Sequence, residues 1–228
     1  MARTLHPTRL GALALAAAGV LFVIYPAVRP WRDESTTGGA LAAMSSGGWV
    51  ASHLSGMLGF ILLSLGLLAV RDALGETGRT AGVGSPPAGR PAAGPAGAAV
   101  LTGWLGAGLI LPYYGAETFG LHGIAGEAAA GSPLVLLDLV DAVRFDPVAV
   151  TMFGIGLLLL AAAGLLTAVA VWRSDLRPRG AGVALAAGLV LYLPQFYAPP
   201  AVRIGHGVLV AVGALWLAVV LWRARRPG

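Results

Sequence analysis

Apolar residues fill this chain in runs of about 20, each long enough to cross a bilayer as a helix. Polar residues gather in the short stretches between them. The runs cover 10–28, 49–70, 98–120, 147–172, 181–197 and 201–222. They predict an all-α fold, a polytopic membrane bundle of six transmembrane helices forming one membrane domain over 1–228. The first run follows Arg3 and Arg9 as the core of a signal peptide would. It ends in Tyr25-Pro26-Ala27-Val28-Arg29, not in a small-x-small cleavage site, so it is read as a retained helix.

The connections differ in kind. Residues 73–97 are rich in Gly, Pro and Ala without apolar periodicity, which predicts a flexible cytoplasmic linker. Residues 32–48 read as a polar outer loop. At 133–145, Ser132-Pro133 predicts an N-cap with proline at the first helical position. Asp138, Asp141 and Arg144 follow at spacings of three, one polar stripe on an apolar helix. Such a helix lies along a membrane surface, here the outer one. Asp146-Pro147 repeats the cap signal and opens the fourth span. Spans one, three and five end in LFVIYP, LILPYY and LVLYLP, and spans two and six carry His53 and His206, 18 and 17 residues before Arg71 and Arg223. Two organisations fit: six independent spans, or three antiparallel hairpins from one triplicated unit.

Composition supports lipid as the solvent. Of 228 residues 57% are hydrophobic and 11% charged, where a water-soluble domain carries roughly a quarter charged. All 15 basic residues are arginine. With the Ala, Gly and Pro excess, this suggests a high-GC bacterial genome and hence a bacterial cytoplasmic (inner) membrane. Arginine placement gives the direction. Arg3, Arg9, Arg71, Arg79, Arg90, Arg173, Arg177, Arg179, Arg223, Arg225 and Arg226 fall on one side, and Arg29, Arg32, Arg144 and Arg203 on the other. The positive-inside rule then puts both termini in the cytoplasm. A pI near 10.4 therefore reflects topology and lipid contact; nucleic acid is not an expected partner. There is no cysteine, which excludes disulfides, thiolate nucleophiles, iron–sulfur clusters and c-type haem.

Against this background LPYYGAETFGLHG, residues 111–123, stands out: two tyrosines, a glutamate and a histidine directly behind a proline. Span three runs outward, so Tyr113, Tyr114 and Glu117 reach the outer leaflet. His53 and His206 start the inward-running spans two and six at a similar level, with Arg203 one turn above His206. Gln195 and Tyr197 end span five, and His122 lies just past Glu117. Pro26, Pro112 and Pro194 sit at matching depths and predict bends that open a cup, over a lower half whose Gly, Ala and Ser pack closely.

Three classes of function fit an outer-leaflet pocket of His, Glu, Tyr and Arg. A cofactor site would use His53 and His206 as axial ligands of a b-type haem, with Arg203 for its propionates, or His53, Glu117, His122 and His206 around a divalent metal. A membrane-embedded enzyme would use Glu117 as catalytic acid and a histidine as base on a lipid-soluble substrate, oriented by Tyr113 and Gln195. A binding protein with no chemistry, whether a sensor, a transporter-like subunit or an accessory to a partner subunit, would hold a small lipophilic ligand among Tyr113, Tyr114, Gln195 and Tyr197, or need no site. Glu117 is expected to pair with Tyr113 or Arg203, and Tyr25, Trp31, Trp49, Trp172 and Trp222 to form an aromatic belt.

Overall fold

A computed structural model describes residues 7–80, 94–174 and 176–224, the side chains of 76–80 excepted. Among these residues every regular element is helical. Five helices are long and apolar enough to cross a membrane: α1 (Pro7–Val28), the Gly47–Gly75 part of α3 (Gly47–Thr80), the continuous helix Pro95–Ala129, α7 (Pro147–Trp172) and α9 (Pro200–Arg223). The third comprises α4 (Pro95–Gly115), a π-helical turn (Ala116–Leu121) and α5 (His122–Ala129). The chain is thus an integral membrane protein built as a helical bundle.

The predicted fifth span is shorter than expected. Its apolar run continues to residue 197, but α8 covers only Gly180–Val190, about 16 Å of rise against a hydrocarbon core of about 30 Å. Proline explains the stop. Pro194 has no N–H for the carbonyl four residues earlier, that of Val190, and the chain turns there into a 3₁₀ segment, Pro194–Tyr197. Pro26 and Pro112 lie inside α1 and α4 without ending them. The π-helical turn begins four residues after Pro112, and such turns mark a helix that has taken in one extra residue.

The six apolar helices close into a ring in chain order. α1 packs on α3, α3 on α4, α4 on α7, α7 on α8, α8 on α9, and α9 returns to α1. Neighbours run antiparallel: Gly11 meets Ala69 where Gly59 meets Phe22, and Gly103 meets Ala163 where Gly156 meets Ile110. The crossings are close. A Cβ on Gly106 would stand 2.7 Å from the Gly156 carbonyl oxygen, the small-residue contact that lets helices pack without a water-driven force between them. Inside the ring, Phe22, Phe60, Tyr114 and Tyr192 meet edge-on or tilted at 5.1–5.8 Å.

A second, smaller core caps one end of the ring. α2 (Thr37–Met44) and α6 (Leu136–Arg144) join α5 there, burying Ala40, Ala43, Met44, Leu121, Ala125, Leu136 and Val140 around Trp49. α2 corrects the expected polar loop over 32–48: Thr36 caps it by accepting from the Gly39 N–H, and Ala40, Ala43 and Met44 face inward. α6 starts three residues later than expected. Ser132 is no N-cap, because its hydroxyl turns back to Glu127 at 3.2 Å, and Val135 precedes the helix without a side-chain cap. Asp146 caps α7 as expected, accepting from the Ala149 N–H at 2.9 Å. The predicted linker 73–97 is helical as far as Thr80 and from Pro95, while 81–93 lies outside the described residues. The third span likewise continues past 120, to Ala129.

Candidate functional site

The capped end gathers a terminus of every ring helix, and the backbone needs of these termini explain much of what sits there. Carbonyls of the last turn of a helix lack intrahelical partners. In α1, Ser52 Oγ donates to the Tyr25 carbonyl at 2.7 Å and Trp31 Nε1 donates to that of Pro26 at 2.9 Å. The first bond ties α3 to the end of α1, and the second turns the segment after α1, which carries Arg29, Trp31 and Glu34, back on the helix end. In the π-helical turn the Glu117 carbonyl accepts from Trp49 Nε1 at 2.6 Å, and Thr118 Oγ1 donates to the Tyr114 carbonyl at 2.6 Å. The turn presents Glu117 inward; the residue is 7% exposed.

Charge is compensated in a chain. Arg144, at the last position of α6, grips Glu117 with two bonds, Nε to Oε1 at 2.7 Å and Nη2 to Oε2 at 3.0 Å. The same Nη2 meets Glu34 Oε2 at 2.8 Å, and Glu34 Oε1 accepts from Arg29 Nη2 at 2.7 Å. Bidentate, partly buried pairs of this kind are among the stronger charge-assisted contacts. Burial works against the charge on Arg29, but Tyr25, Glu34 and Glu117 outweigh it and hold its pKa above the ordinary value. Burial likewise opposes ionisation of Glu34, and the guanidinium groups of Arg29 and Arg144 overcome that, holding its carboxyl below the usual range. Arg144 is pushed up, burial again being outweighed, here by Glu117 and Glu34.

Aromatic rings separate the cations. Arg203 lies over Trp31 at 5.2 Å, Arg29 over Trp31 at 5.1 Å and over Trp49 at 4.7 Å, and Arg144 over Trp49 at 5.6 Å. Three arginines and two tryptophans therefore alternate as a ladder, with cation–π attraction at every step. His53 sits against it. Its Nδ1 faces the Trp49 carbonyl at 2.8 Å, so Nδ1 is the protonated nitrogen and Nε2 accepts from Arg29 Nη1 at 3.4 Å. That Nε2 is also 3.8 Å from Glu117 Oε2.

Beside the ladder opens a cavity of about 650 Å³. One wall is charged: Arg29, Glu34, His53, Glu117, Arg144 and Arg203. The other is apolar, with Phe153, Leu193 and Phe196 among its residues. Tyr113 stacks on Phe153 at 4.4 Å and donates its hydroxyl to the Arg144 carbonyl at 3.1 Å. The early stop of α8 creates part of this space, since Leu193 lines it from the turn that follows α8 and Phe196 and Tyr197 line it from the 3₁₀ segment.

The predicted site residues separate into two groups. Glu117, His53, Tyr113, Tyr114, Tyr197 and Arg203 all line the cavity. His206 does not: its Nε2 donates to the Gly188 carbonyl at 2.8 Å, its ring stands edge-on to Tyr192, and it lines a separate crevice of about 10 Å³ with Gln195. His122 binds the Met44 carbonyl through Nδ1 at 2.6 Å and so ties α5 to the end of α2. The histidines expected to flank a haem thus have different neighbours, and the four expected metal ligands are not brought to one point. Among the described residues no group of three or more His, Asp or Glu is placed to hold a metal ion. The partner expected for Glu117, Tyr113 or Arg203, is replaced by Arg144.

Residues that sequence reasoning gave only a topological role prove central: Arg29, Glu34 and Arg144, with Trp31 and Trp49 between the cations. Trp49 is fully buried and belongs to no belt. A signal was available. Arg29, Arg32, Arg144 and Arg203 are the four arginines on the arginine-poor side of the sequence, and all four line the cavity. No protein-family model, curated protein or solved structure matches the chain.

Proposed function

We propose that this is a membrane binding protein whose cavity, on the extracytoplasmic side, takes a small lipophilic ligand without transforming it. The observation that carries the reading is the cavity of about 650 Å³ with one aromatic, apolar wall and one charged wall, within the size range of small-molecule sites. Fixed charges on a rigid wall orient a ligand, and the apolar wall supplies affinity. Arg144 occupies both oxygens of Glu117, which suits a structural strut better than a free proton donor and counts against acid–base chemistry. The arginine distribution supports an extracytoplasmic cavity and cytoplasmic termini.

Gly154 provides the test. It lines the cavity, and a Cβ there would meet nothing within 4 Å, so Gly154→Trp starts without a clash at its Cβ and places an indole against the ligand space. Native mass spectrometry of protein purified in a mild detergent should find a lipophilic adduct on the wild type and none on Gly154→Trp. Equal adducts on both, or none on either after incubation with lipid, would overturn the reading.

A further inference from the structure

We infer that the ligand is a membrane lipid with a net-anionic phosphate headgroup, seated on Arg203 and Arg32; this rests on the cavity being a ligand site. Four guanidinium groups line the cavity against two carboxylates, Glu34 and Glu117. Every oxygen of both carboxylates is already held by Arg29 or Arg144. Arg203 and Arg32 therefore have no carboxylate partner among the described residues, and the lining keeps two uncompensated positive charges.

Arg203 is also held in place. Its Nε donates to the Gln195 carbonyl at 3.1 Å, its Nη2 donates to the carbonyl of Phe196, and its plane lies between Trp31 and Phe196, with centroid distances of 5.2 and 5.4 Å. Among the described residues no hydrogen bond engages Nη1. A guanidinium fixed by backbone carbonyls and rings, with donors to spare and no counter-anion, is prepared for phosphate oxygens. Arg32 follows Trp31 directly and is exposed at the cavity lining, where it can close on the same headgroup.

The rim points to a lipid as the source of that phosphate. Phe145 and Tyr197 line the cavity and are 68% and 88% exposed, and Val150 beside them is 43% exposed. An apolar, open rim leading from a cationic floor lets acyl chains leave sideways along α7. A soluble anion would have no use for it.

The test offers the detergent-purified protein equal amounts of phosphatidylglycerol and phosphatidylcholine with identical chains and counts each by native mass spectrometry. Wild type should retain phosphatidylglycerol in preference, on the order of tenfold for two arginines near the headgroup. The double variant Arg32→Gln/Arg203→Gln should retain both equally, and Arg203→Lys should keep part of the preference. Should the double variant not fold, Arg32→Gln alone, at an exposed position, must still reduce the preference, and an unchanged ratio overturns the assignment. Equal retention of both lipids by wild type, abolished by Gly154→Trp, overturns the anionic headgroup while the lipophilic cavity stands. Retention of neither lipid removes both. Displacement of phosphatidylglycerol by millimolar inorganic phosphate, which binds equally well without lipid, would assign a soluble anion instead.

Discussion

Replacing Arg144 by methionine keeps the length of the side-chain stem but removes the guanidinium that joins α6 to the π-helical turn and to the segment after α1. Three charge-assisted bonds disappear, at 2.7, 3.0 and 2.8 Å. The losses are unequal. Glu34 keeps Arg29 at 2.7 Å, whereas Glu117 is left with His53 Nε2 at 3.8 Å. The Glu117 side chain is 9% exposed and that of Arg144 17%, so this is a partly buried pair, and water can replace little of what is removed. Breaking a buried pair by deleting one partner costs about 3–5 kcal/mol, most of it from the charge left behind. Arg144→Met should therefore destabilise by about that amount. Adding Glu117→Gln should restore about 2 kcal/mol, because the stranded carboxylate is gone. Equilibrium unfolding in detergent micelles, followed by circular dichroism for both single variants and the double, closes the cycle. A cost for Arg144→Met below about 1 kcal/mol, as for an exposed ion pair, or strictly additive effects, would refute a strut built on Glu117.

Glu34 gives a pH dependence with a definite sign. Its folded pKa lies below the ordinary 4.5, so its contribution is fully present above about pH 4.5 and is lost as pH falls through the folded value; Glu34→Gln should flatten that part of an acid-unfolding curve, and identical curves for variant and wild type would contradict the pairing. At the α4–α7 crossing, Gly106→Ala drives a methyl to 2.7 Å from the Gly156 carbonyl and 3.0 Å from the Leu160 nitrogen; overpacking of this kind costs about 1–3 kcal/mol, measurable as a lowered unfolding midpoint, and an unchanged midpoint would mean the two helices separate freely.

What the sequence by itself determined is the helical, membrane-spanning character of this protein and five of the six segments expected to carry it. Those features depend on a local quantity, the length of an apolar run against the thickness of hydrocarbon, and on a backbone that must satisfy its hydrogen bonds within each segment. The gathering of Tyr113, Glu117, His53 and Arg203 at one end followed in the same way, since a residue's depth is set by its count along an antiparallel helix. Rotation about the helix axis and pairing between segments are not local. His53 and His206 share a depth, yet one meets Glu117 and Arg29 while the other binds the Gly188 carbonyl, because packing on opposite sides of α1 turned them to different neighbours. Arg144 was legible as a charge on an amphipathic helix. Only the tertiary structure, by folding α6 and the segment after α1 over the ring, made it the partner of Glu117 and Glu34: an ion pair between segments 27 residues apart depends on where two termini are brought together, and no spacing along the chain encodes that.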